Sequence, residues 1–300
     1  MTLHELLADK IARLDSIPKK FVTQVEEAQY AILDNILVLM NKLSLTKDGL
    51  VEMTVANLNV ADKINQKLYD VFLRSDYIGA VTDFASSFDI QKKANDKYFK
   101  KAFPDYTPSD FANGVFLASK KNAIESLSTS TVATKFLEPL RQTMDNIVSN
   151  GLSFKDAVQQ VRDYAVGDGE SAGKLLQYSK QIAYDTIATA DRAYTSAVAE
   201  DLGLEWFFYA GGLITTSREF CIQRHNEYYY YKEVEDWASL EWDGKIETTT
   251  PQNIYQNLGG WNCNHALIPV SIDQVPKPVI NRNINNGNFV PTEFDIQNVL

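Results

Sequence analysis

From Phe21 onward, Val25, Ala28, Ile32, Ile36 and Leu39 recur at intervals of three or four residues, the spacing that lays one apolar stripe along a helix. The pattern predicts a long helix over 20–43. After the turn-like "TKDG" at 46–49, Val60, Ile64, Leu68, Val71 and Phe72 repeat the period. A third helix is expected over 133–149, stopped by Asn150-Gly151, because glycine enters the left-handed C-terminal conformation without strain. Ser153 has the chemistry of an N-cap for "FKDAVQQVRDYA", and a further stripe runs through Leu175, Ile182, Thr186, Ala190, Tyr194 and Ala197. Near residue 203 the period shortens towards two. "LEWFFYAGGLITT" (204–216) is aromatic and β-branched on either side of Gly211-Gly212, which predicts a hairpin with a two-residue turn.

These changes of period predict an α+β fold: a mostly helical N-terminal region over 1–199, a small α+β domain over 200–272 and an extended C-terminal tail over 273–300. Within the helical region a break is expected near "PDYTPSD" (104–110), where Thr107 before Pro108 reads as a helix start. A flexible loop is expected over 165–174. Its "GDGESAGK" is not a phosphate loop, since Gly169 and Gly173 enclose three residues rather than four and Leu175 follows Lys174. The Asn- and Pro-rich "QVPKPVINRNINNGNFVPTEF" lacks a helical period and reads as a segment that orders only against a neighbour.

A net charge of −10 argues against a general nucleic-acid binder, because phosphate affinity comes mainly from lysine and arginine. The one local candidate for a weak DNA contact is "QKKANDKYFKKAF" (91–103), with five lysines among Tyr98, Phe99 and Phe103. A solvated helix face is the plainer reading of such a run. The apolar "AILDNILVLM" (31–40) is interrupted by Asp34 and Asn35 and is too short to cross a bilayer. No membrane anchor or signal peptide is expected, and the chain reads as soluble and made in the cytosol.

The chain has two cysteines and three histidines, and four of these five residues fall in two short stretches. Thr216 and Glu219 have capping-box spacing, so "SREFCIQRHN" is expected to start a short helix with Cys221 and His225 at i and i+4. "HALIPVS" reads as a strand ended by Pro269; if it begins at Cys263, alternation places Cys263 and His265 on one side. The four residues suit tetrahedral structural zinc. Two other readings stand beside it: buried cysteines that only pack, and a Cys221–Cys263 disulfide in a particle released from the cell. A Cys–His nucleophile lacks an oxyanion-hole signature nearby.

The order helix, aromatic strand, "TSREFCIQRHNEYYYYKEVEDW" (216–237), "WDGK" (242–245) and "GGWNCNHALIPVS" (259–271) resembles the C-terminal domain of phage minor head proteins, the head-morphogenesis family named after the F protein of phage Mu. Arg218, Phe220, Cys221, Tyr231, Glu233, Trp237, Gly260, Trp261, Asn262, Cys263 and His265 fall on the family's positions. The likeness covers roughly 175–272. Asn264 stands where the family usually has arginine, His225 has no regular counterpart, and Thr215 or Thr216 replaces a common acidic residue. The resemblance implies a non-enzymatic, low-copy virion protein, assembled in the host cytoplasm. It would associate with the portal or major capsid protein during head assembly, with a role in genome packaging or ejection. Cys263 and His265 would then tie the last strand to the helix carrying Cys221. Two rival expectations are a nuclease- or toxin-like enzyme using His225, Arg224 and the tyrosines at 228–231, and a scaffold protein lost on maturation.

Overall fold

The computed structural model describes residues 1–298. Its chain folds as two compact units, one from Met1–Ser16, Phe88–Lys121 and Tyr184–Leu300, the other from Ile17–Ser87 and Asn122–Ala183. The fold is α+β: long helices dominate the first two hundred residues, and a small antiparallel sheet follows.

The first helix runs Leu3–Met40, well upstream of the expected start at 20. Leu6 and Leu14 are buried on it, but the intervening stripe position holds Lys10, also fully buried, and Pro18 lies inside the helix. A charged residue and a proline erase the apolar period from the sequence. What makes Lys10 tolerable is Asp191, whose Oδ2 lies 3.1 Å from Lys10 Nζ with both side chains fully buried. Gln91 and Asn95 donate to Asp191 Oδ1 at 2.8 and 2.7 Å.

Helix Tyr77–Ala102 contains the lysine-rich stretch. Tyr98 and Phe99 are buried while Lys93, Lys97, Lys100 and Lys101 are exposed, so the aromatic rings belong to the core and the charges to the solvated face. The next helix, Asp110–Ser126, starts later than Thr107: Ser109 Oγ accepts from Ala112 N at 3.0 Å and is the cap.

In the second unit, helix Val55–Arg74 begins at Thr54, whose side chain accepts from Asn57 N. It packs near helix Glu138–Ser149, and Asn65 Nδ2 donates to Asp145 Oδ1 at 2.9 Å. The expected helix over 133–149 opens with a π-helical turn, Ala133–Leu137. As expected it stops at Asn150 and Gly151, the glycine having φ of 56°. Ser153 caps helix Phe154–Ala165 by accepting from Asp156 N.

Helix Lys174–Asp201 leads into the sheet. Strands β1 (Trp206–Ala210), β2 (Tyr228–Tyr230) and β3 (Ala266–Val270) are ordered β2-β1-β3, and both pairs are antiparallel. The hairpin expected at Gly211-Gly212 does not form; β1 pairs with β2 and β3, while 211–216 is irregular. Gly211 is there for a different reason. A Cβ on it would stand 2.6 Å from His265 Cδ2, so the residue must be glycine to let His265 close on the backbone. Pro269 lies inside β3, not at its end, and pairs with Phe207. Strand β3 is at the sheet edge, where a missing N–H is tolerated.

Both sheet faces are covered. Phe207, Tyr209 and Leu267 join Phe220, Cys221, Trp237 and Leu258 in one core. Trp206, Tyr230 and Val270 join Val275, Ile280 and Phe289 in another. The second core corrects the expected extended tail: 277–285 is helical, and Glu293–Asn298 is a further short helix. Apolar residues at Val275, Ile280 and Phe289 are irregularly spaced, which hides the pattern, yet the sheet face buries all three. Glu233 fixes the segment by pairing with Arg282 at 3.0 Å and accepting from Asn283 Nδ2 at 2.9 Å. Among the described residues, no helix is long and apolar enough to cross a membrane.

Candidate metal centre

Cys221 lies on a single helical turn, Glu219–Ile222, whose N-cap position is Arg218 and not the expected Thr216. Cys263 and His265 come from the loop before β3, so they meet through a turn with Asn262 at φ of 56° and not through strand alternation. Cys221, Cys263 and His265 are all buried, with potential ligand atoms within 4.8 Å of one another. Cys221 Sγ and Cys263 Sγ are 3.9 Å apart, and Cys263 Sγ is 3.7 Å from His265 Nδ1. Both cysteines are free, so the disulfide reading does not describe this structure; a disulfide requires about 2.05 Å between the sulfurs.

The arrangement depends on residues the sequence reading passed over. Gly259 makes room for the sulfurs: a Cβ there would lie 2.5 Å from Cys221 Sγ and 2.9 Å from Cys263 Sγ. Buried Arg192, from helix Lys174–Asp201, donates to the carbonyls of Gln256 and Cys263 and so clamps the loop. Asp185, two turns earlier on the same helix, accepts from Asn262 N at 2.8 Å. Burial raises the Asp185 carboxyl above its ordinary range, with the Asn262 contact and Arg192 opposing. Tyr209 donates to Cys221 Sγ at 3.4 Å and stacks on His265 with ring centroids 5.2 Å apart. In the sequence, Gly259-Gly260 beside Trp261 was the available sign of a crowded loop; nothing local marked Arg192 or Asp185.

The hydrogen bond from Cys221, with smaller help from His265 and Arg192, holds Cys263 well below the ordinary thiol range. The same contact, followed by burial, pushes Cys221 up. Two buried cysteine sulfurs beside an imidazole are a donor set for a soft or borderline cation.

His225 is near this group but outside it. Its ring centroid is 6.2 Å from that of His265, and Asn226 Nδ2 lies 2.9 Å from its Nε2. His225 Nδ1 and His265 Nε2 are buried without a partner among the described residues. Comparison with protein-family models, with curated proteins and with solved structures found no match.

Proposed function

We propose that this chain is a minor head protein of the phage Mu F-like kind, whose sheet-bearing unit is stapled by a structural zinc ion on Cys221, Cys263 and His265. The convergence of these three residues carries the reading. They come from the two motif elements on which the family resemblance rests, and they form one buried group. Tetrahedral zinc with bonds near 2.3 Å to sulfur and 2.0–2.1 Å to nitrogen sets S···S at roughly 3.8 Å and S···N at roughly 3.6 Å. The observed 3.9 and 3.7 Å lie close to these separations. His225 or a water would supply the fourth ligand. Such a centre would tie the Cys221 turn to the loop before β3, and its binding free energy would add to the stability of the folded unit.

The acidic surface is compatible with a protein that docks on other head components without competing for packaged DNA. The portal and the major capsid protein are the proposed partners. Two measurements test the reading separately. Elemental analysis of protein purified without chelator should find about one zinc per chain. Affinity capture on purified portal, with protein composition of finished particles as the second readout, should retain this chain. Zinc without portal or capsid binding would leave the staple and reject the head-protein role.

A further inference from the structure

The sheet-bearing unit also contains a cavity of about 540 Å³ beside the short Cys221 helix. Arg224, only 9% exposed, lines it. The guanidinium carbon is 3.9 Å from the Phe220 ring centroid and 4.7 Å from that of Trp237. Arg224 Nη1 donates to the Phe220 carbonyl at 2.9 Å, while Nε is buried without a partner. No carboxylate pairs with Arg224 among the described residues. Aromatic faces offset part of the lost hydration of a cation, but a buried guanidinium without an anion is strongly unfavourable. Arg218 lines the same cavity; its Nη2 donates to the Trp261 carbonyl at 2.7 Å, and its Nε is likewise buried without a partner.

We propose that this cavity binds a carboxylate carried by a short peptide segment of a partner protein, with a basic residue next to that carboxylate. A guanidinium and a carboxylate attract each other through charge-assisted hydrogen bonds; Nε of each arginine is closed off from the cavity, so the contact falls to the terminal nitrogens. The remaining lining explains the basic neighbour and disfavours phosphate. Glu219, Glu241 and Asp243 stand exposed at the cavity. Glu241 is already paired with Lys245 at 3.0 Å, whereas among the described residues Glu219 accepts only from the neutral Gln223. A phosphate brings nearly two negative charges against these carboxylates; a single carboxylate flanked by lysine brings one and offers the carboxylates a cation. The proposal does not rest on the head-protein reading.

The test titrates the full chain, labelled for side-chain NMR, with three probes: acetyl-Lys-Asp-Lys-amide, acetyl-Lys-Asn-Lys-amide and inorganic phosphate. The Arg224 Nε–H resonance, assigned by its loss in Arg224→Lys, is the readout. The aspartyl peptide should move it saturably and bind at least about tenfold more tightly than the asparaginyl peptide. Asp243→Asn and Glu219→Gln should each weaken the lysine-flanked peptide several-fold while leaving acetyl-Gly-Asp-Gly-amide bound at least as tightly as before. Should Arg224→Lys fail to fold, Arg218→Lys and the two exposed variants supply the comparison. An unmoved resonance, equal binding of the asparaginyl peptide, or tighter binding of phosphate would each overturn the proposal.

Discussion

Cys221 Sγ and Cys263 Sγ face each other at 3.9 Å across 42 residues of sequence, with Gly259 packed against both sulfurs where no other residue fits. The pair is too far apart for a disulfide and at the separation two zinc-bound thiolates require.

Metal removal should therefore unfold or loosen the sheet-bearing unit. With zinc bound, a chelator lowers its stability by several kcal/mol, because binding free energy is here folding free energy, and Cys263→Ser has a similar effect. Urea unfolding monitored by tryptophan fluorescence, with chelator and reductant added separately, decides the matter. Sensitivity to reductant alone would indicate a disulfide. Indifference to both, with Cys→Ala costing only about 1 kcal/mol, would indicate packing.

Gly259→Ala should disrupt the centre without touching a ligand. The added methyl meets both sulfurs at less than 3 Å, and overpacking of this kind costs about 1–3 kcal/mol. Gly212→Ala is the matched control, since nothing lies within 4 Å of a Cβ at that position. Thermal denaturation and zinc content of the two variants provide the comparison; equal values would remove the steric role assigned to Gly259.

Deletion of residues 276–300 should destabilise the sheet. Ile280 and Phe289 are buried against Trp206 and Tyr230, and Phe289 meets Trp206 edge-on with centroids 5.3 Å apart. Loss of two such side chains costs roughly 3 kcal/mol or more by apolar burial alone. Trp206 should become more exposed, shifting its emission to longer wavelength. An unchanged unfolding midpoint would show that the segment is dispensable for the fold.

Asp191→Ala should cost about 3–5 kcal/mol, the scale for leaving one partner of a buried ion pair alone. Among the described residues, fully buried Lys10 pairs with Asp191 and with no other acid. The double replacement Lys10→Met with Asp191→Leu should recover part of that loss, because it removes both charges, while Gln91 and Asn95 still lose their acceptor. Denaturant titrations of the single and double variants measure the coupling; additive losses would mean the pair does not act as a unit.

The helical stripes from Phe21 to Ile36 and from Ile64 to Phe72 were legible because burial on one face imposes a local period. So were the caps at Ser153 and the stop at Gly151, which depend only on near neighbours. The change of period near 203 was enough to identify the sheet-bearing segment, and the rarity of cysteine and histidine singled out Cys221, His225, Cys263 and His265, of which the folded chain groups the two cysteines and His265. Strand pairing was another matter. Gly211-Gly212 satisfies the local chemistry of a hairpin, yet β1 gains more by pairing with two distant strands, and Gly211 is occupied by the His265 ring. The helix over 277–285 escaped notice because its buried residues answer to the shape of the sheet face rather than to a regular period. Lys10 and Asp191 lie far apart in sequence, and only tertiary structure makes a fully buried lysine acceptable by supplying its carboxylate. Periodicity and capping are local and survive in the sequence; the pairing of charges, sulfurs and strands is decided by which surfaces the folded chain brings into contact.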